Sequence, residues 1–212
     1  MQLHCNSAQA PLSMQPHCYD AVVPRTVDHD TRRSEIADAV LALVARAGTE
    51  AVSLRSVAAE AGISMGRVQH YFASKDALLL HALDRSHRRM EQRIEQRARS
   101  GPDTERGALA TILDELIGAH PESRDAIRIH AAFAAREVDE RARAILTDGD
   151  EEILGLAVRV VADAGSPTPE DDGYALLALA GGLGSDVALH GAPAERARRV
   201  LAAMLERLAP TR

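Results

Sequence analysis

Ser53-Leu54-Arg55-Ser56-Val57-Ala58-Ala59-Glu60-Ala61-Gly62-Ile63-Ser64-Met65-Gly66-Arg67-Val68-Gln69-His70-Tyr71-Phe72 divides, on inspection, into two short helices and a turn. Ser53 can accept from the first orphan backbone N–H groups and so cap a helix whose inward positions are Leu54, Val57, Ala58 and Ala61. Gly62 stops that helix, and Ser64 can cap the next after only three residues. Val68 and Phe72, one turn apart, take the inward face of the second helix. Two short helices joined by a tight glycine-containing turn form the helix-turn-helix pattern.

The outward positions of the second helix carry the chemistry. Met65, Gly66, Arg67, Gln69 and His70 must face away from Val68 and Phe72. Arginine pairs bidentately with guanine and glutamine with adenine in the major groove. Gly66 permits close backbone approach. Tyr71 and Lys75, the only lysine of the chain, can hold phosphates just beyond, and Ser53 and Arg55 front the preceding helix. As side chains of a short surface helix they could equally be plain solvated groups. Two of the chain's five aromatics lying beside its one lysine favours the binding reading.

Upstream, Ile36, Ala39, Val40, Leu43, Val44 and Ala47 form an amphipathic stripe ended by Gly48. Downstream, Ser74 can cap a long helix from Lys75 to about Arg99. Residues 1–30, with Pro11, Pro16 and Pro24 and no periodicity, read as a disordered extension. The pairs His4-Cys5 and His17-Cys18 fit no zinc-module spacing. The chain divides into that extension, a DNA-binding domain over 31–78, and a body over 79–212. Net charge divides with it. Residues 31–100 hold twelve Arg or Lys against eight Asp or Glu, a net +4, while residues 101–212 hold twelve against twenty, a net −8. A basic contact module on an acidic body is the expected arrangement.

The stretch 31–83, above all Leu54-Arg55-Ser56-Val57-Ala58-Ala59-Glu60-Ala61-Gly62 through Ser74-Lys75-Asp76-Ala77-Leu78, resembles the TetR family of bacterial transcriptional regulators. The resemblance covers a quarter of the chain. It implies that the third helix reads an operator and that Tyr71-Phe72 followed by Ser74-Lys75 leads into the fourth. By that resemblance Arg55, Met65, Gly66, Arg67 and Gln69 face bases, Ser64 opens the reading helix, and Ser53, His70, Tyr71 and Lys75 anchor the backbone. Met65 and Gln69 stand where many members carry Lys and Tyr, which alters the operator sequence and leaves the docking mode alone.

The remainder also reads as helical throughout. Helices are expected over 105–120, 122–138, 139–164 with a distortion at Gly149, 169–190 opened by Thr168-Pro169, and 193–208, for nine helices in an all-α fold. This matches what the resemblance implies: three helices for DNA, a connecting fourth, and a body that binds a ligand and dimerises. Phe133, with His130 one turn away, is the candidate wall of an inducer site, against the plainer expectation that Phe133 is core. In the last two helices Leu183, Val187, Val200, Leu201, Met204, Leu205 and Leu208 form apolar faces expected to build a four-helix dimer interface.

Several classes are excluded. The longest apolar, uncharged run has thirteen residues, between Asp172 and Asp186, where a spanning helix needs about twenty. No secretory signal is visible, and two cysteines make no disulfide framework, so a cytoplasmic protein is expected. Gly181-Gly182-Leu183-Gly184 lacks the residues of a phosphate loop and reads as a close helix approach. His81 and His87 lie six residues apart on one helix and point about 120° from each other. No catalytic, cofactor or metal set emerges. The expectation is a homodimeric, ligand-responsive repressor of double-stranded operator DNA; the alternative is an all-α small-molecule-binding protein or enzyme without a DNA target.

Overall fold

The computed structural model describes residues 25–135 and 139–211, and among them every regular element is a helix. Helix α1 (Arg25–Ala47) is followed by a 3-10 turn (Thr49–Ala51), α2 (Leu54–Glu60), α3 (Met65–Tyr71) and α4 (Lys75–Ala98). The rest comprises α5 (Glu105–Leu116), α6 (Pro121–Ala134), α7 (Glu140–Leu146), α8 (Asp150–Asp163), α9 (Pro169–His190) and α10 (Ala194–Leu208). None of these helices is long and apolar enough to cross a membrane.

Most helix boundaries follow local chemistry. Ser53, Ser64, Ser74, Thr104 and Asp139 each accept a backbone N–H at a helix start, and Pro121 and Pro169 occupy first-turn positions. Three expectations need correction. Helix α1 begins at Arg25, inside the segment read as an extension, while the His4-Cys5 and His17-Cys18 pairs lie outside the described residues. The helix expected over 139–164 is two, because Gly149 takes a left-handed φ of 81° between α7 and α8. Thr168 makes no capping bond; Ser166 accepts from the Thr168 N–H instead and donates to Asp172.

Two apolar cores result. The first joins α1 to α4 through Ile36, Val40, Val57, Val68, Phe72, Leu78 and Leu79, and also takes Ile129 and Phe133 from α6 and Ala142 from α7. The second joins α5, α8, α9 and α10 through Leu109, Leu113, Ile117, Val160, Leu176, Val187, Leu201 and Leu205. Small residues set the spacing in the second. A Cβ on Gly184 would sit 2.0 Å from the Leu116 carbonyl oxygen, and one on Gly173 would meet the Val158 backbone at 3.0 Å. Gly184 therefore permits the expected close approach, whereas Gly181 and Gly182 face open space.

Helix α4 belongs to both halves. Its first turns bury Leu78, Leu79, Ala82 and Leu83 in the first core. Arg85 and Arg89 then reach Asp38 of α1, with Arg85 Nε donating at 2.7 Å. Burial would raise the Asp38 carboxyl, but the Arg85 hydrogen bond and the Arg89 charge outweigh it and hold the group below its usual value. Farther along, Arg93 and Arg97 both donate to Glu115 of α5, a carboxylate only 2% exposed. Ser123 of α6 donates to the same carboxylate at 2.7 Å. Glu115→Ala removes the shared acceptor and leaves two guanidiniums half-buried without a partner. The expected loss is about 3 kcal/mol, the low end for breaking a buried pair because both arginines keep some access to water. Urea unfolding of the variant measures it, and a loss well below 1 kcal/mol would contradict this account of the cluster.

Candidate nucleic-acid interface

The helix-turn-helix is held by its own hydroxyls. Ser53 Oγ accepts from the Ser56 N–H at 3.0 Å, and Ser56 Oγ accepts from the Ser53 N–H at 2.8 Å, a reciprocal capping box. Gly62 turns the chain with φ 65°, and Ser64 Oγ accepts from the Arg67 N–H at 3.2 Å to open α3. Val68 and Phe72 are buried as the spacing predicts. That arrangement rolls Met65, Gly66, Arg67, Gln69 and His70 outward, all exposed, on one continuous face with exposed Ser53, Arg55 and Ser64. Tyr71 and Lys75 are half-buried at its edge.

Among the described residues, the side chains of Arg55, Arg67, Gln69 and Lys75 make no hydrogen bond or ion pair. The arginines of α4 contrast with them: Arg85, Arg88, Arg89, Arg93 and Arg97 are all bonded to carboxylates. Among the described residues nothing requires glycine at position 66, since an added Cβ there would meet none of their atoms within 4 Å. The face is thus a set of uncommitted donors around a backbone left bare.

Behind this face lies support that the sequence pattern did not reveal. Arg33 of α1 donates from Nη1 to the Tyr71 carbonyl at 3.0 Å and lays its guanidinium 4.5 Å from the Phe72 ring centre. His29, within the segment read as an extension, packs against Tyr71 at 4.7 Å between ring centres, the rings tilted by 52°. His81 of α4 also packs against Phe72, at 5.3 Å between ring centres. The end of α3 is therefore clamped between α1 and α4.

Elsewhere two groups of expected site residues are rearranged. Phe133 is 2% exposed within the first core, while His130 is exposed and its Nε2 lies 3.2 Å from the Leu146 carbonyl oxygen. The two do not form one cavity wall, because the first core consumes the phenyl ring. Of the expected dimer residues, Val187, Leu201 and Leu205 are buried within their own chain and Leu183, Met204 and Leu208 pack partly against the same core. Only Val200, 42% exposed, stands free.

Residues 36–82, spanning α1 to the first turns of α4, match the family of bacterial regulatory proteins described as the tetR family. The helix-turn-helix segment of the chain is thus similar to that of the TetR family. The chain is 31% identical over 113 residues to the HTH-type transcriptional regulator PksA of Bacillus subtilis, a match covering 53% of this chain and 55% of that protein. It is 40% identical over 70 residues to the HTH-type transcriptional repressor KstR of Mycolicibacterium smegmatis, covering 33% of this chain and 34% of that one. The chain thus spans about half the length of the first relative and a third of the second. Over the whole fold it is similar to the multidrug binding protein EbrR solved with malachite green. That match has 28% identity and a TM-score of 0.58, covering 85% of this chain and 99% of that one.

The burial of His81 makes folding stability depend on pH. Burial, and then the charge of Arg33, hold its imidazole below the ordinary value of 6.5, against a smaller opposing pull from Asp84. The folded chain therefore binds fewer protons than the unfolded one just below that value, and stability falls as pH drops through the window. Above it the contribution is constant. Urea midpoints measured at about pH 7.5 and about pH 5.5 should fall less for His81→Gln than for the parent. An equal fall in both would remove His81 from this role.

Proposed function

We propose that this chain is a sequence-specific DNA-binding transcriptional regulator of the TetR family, acting in the cytoplasm as a homodimeric repressor released by a small-molecule inducer. The observation that carries the reading is the outward face of α3, where Arg67 and Gln69 stand uncommitted beside bare Gly66. These are the side chains suited to guanine and adenine edges in the major groove, and α3 is short enough to enter it. Lys75 and Tyr71 at the rim suit phosphates. The repressor name of KstR supports the sign of regulation, and the multidrug binding neighbour supports a small-molecule signal.

A single α3 contacts few base pairs, so a dimer reading two half-sites follows from affinity. The surface for it is the outer side of α9. Tyr174 is 67% exposed and Leu189 48% exposed, and between them Ala175, Ala178, Gly181 and Gly182 are exposed and uncharged. Val200 of α10 is exposed on a separate groove that it lines with Leu183 and Val187. Apolar, small-residue helix faces of this kind pair across a two-fold axis. Ala178→Glu with Leu189→Glu changes only exposed positions. It should give folded monomers by sedimentation, and a variant that stays dimeric would exclude this face.

Selection of bound sequences from random DNA tests the reading itself. The parent chain should enrich a two-fold motif. Arg67→Ala and Gln69→Ala should each relax preference at particular base pairs by about 1–3 kcal/mol. Lys75→Ala should weaken all sequences alike and reduce the salt dependence. No enrichment by the parent, or an unchanged motif in both α3 variants, would contradict the reading.

A further inference from the structure

His87 and Glu91 lie one turn apart on α4, and Asp148 stands in the turn between α7 and α8. His87 Nε2 is 3.6 Å from Glu91 Oε1 and 3.5 Å from Asp148 Oδ2. One ligand atom from each of the three residues lies within 4.8 Å of the other two. These separations exceed the 2.7–3.2 Å of an N–H···O hydrogen bond. They approach the edge of a coordination tetrahedron, because metal bonds of about 2.0–2.2 Å place neighbouring ligand atoms about 3.3 Å apart.

The charges point the same way. Two carboxylates converge on one imidazole, and among the described residues neither meets an arginine, although α4 is rich in them. Arg85 and Arg89 are committed to Asp38, Arg88 to Asp84, and Arg93 and Arg97 to Glu115. The first turn of α8 beyond Gly149 adds Asp150, Glu151 and Glu152 in sequence, deepening the negative field. The His87 side chain is 14% exposed, while both carboxylates stay open to water, so a cation can enter.

We propose that His87, Glu91 and Asp148 form a binding site for a divalent transition-metal cation, zinc foremost, with water as the fourth ligand. One imidazole with two carboxylates suits zinc, whereas calcium and magnesium favour all-oxygen sets. The two carboxylates also neutralise the charge of the ion. Occupancy joins the middle of α4 to the α7–α8 turn and so clamps the helix that carries the recognition unit against the body. The site stands apart from the proposed DNA reading; only its effect on operator affinity rests on that reading.

The full chain, freed of metal with a chelator, is titrated with zinc chloride by calorimetry and with cobalt chloride by visible absorption. One equivalent per chain is expected at this site, with affinity about tenfold or more weaker in His87→Gln and in Asp148→Asn. Circular dichroism should match the parent, since neither substitution removes an apolar residue of the two cores. Zinc binding that both variants retain at full strength would overturn the site, whatever His4, Cys5, His17 and Cys18 bind. Absence of binding would overturn it too. With selected operator DNA, zinc should change affinity about fivefold or more in the parent and not in His87→Gln. Equal affinity with and without zinc would overturn the clamp, whereas failure to bind any DNA would count against the proposed function alone.

Discussion

The Glu115 carboxylate, buried among α4, α5 and α6, is the constraint on which the rest of the molecule turns. A buried charge is tolerable only while its partners stay in place, and here two of the three come from α4. The C-terminal half of α4 therefore has one permitted seat against the body. Its N-terminal half is equally tied, because Leu78, Leu79 and Ala82 belong to the core beneath α3. A displacement of α5 or α6 must either break the cluster or carry α4 with it. Ser74 and Lys75 follow Phe72 almost directly, so motion of α4 is motion of the recognition face. Such a two-sided element is what a ligand needs in order to bias a DNA-binding equilibrium from a distance.

The scarcity of aromatics shapes how this is packed. With five aromatic residues in 212, the chain spends Phe72 and Phe133 on the first core, where α6 reaches up to the helices of the recognition unit. The second core relies on aliphatic side chains and on glycines at the crossings. Gly184 against Leu116 and Gly173 against Val158 bring backbones close enough for small residues to fill the space. Tight crossings of this kind transmit a shift because little soft volume separates the helices.

Features set by neighbouring residues were legible from sequence. The serine caps, the inward Val68 and Phe72 and the outward Arg67 and Gln69 all depend on spacing within a turn or two, and spacing is what a sequence displays. Features set across the chain were not. Nothing local tells that Phe133 leaves the body to join the first core, or that Asp148 meets His87 sixty-one positions earlier. The Leu201 and Leu205 stripe announced burial without naming its partner, which proved to be the same chain. The early start of α1 had no apolar stripe to reveal it; the packing of His29 against Tyr71 is a tertiary contact. The i, i+4 spacing of His87 and Glu91 was visible, but a helical pair of that kind carries no ligand set until a third group arrives from elsewhere.

The central claim is that α3 docks in the major groove with Arg67 and Gln69 toward the bases. Methylation interference on a selected operator measures that most directly, because dimethyl sulfate marks guanine N7 in the major groove and adenine N3 in the minor groove. The account predicts that methylated guanine N7 blocks binding in two patches about one helical turn apart, related by two-fold symmetry, while methylated adenine N3 within those patches is tolerated. Interference confined to adenine N3, or binding indifferent to both marks, would contradict it.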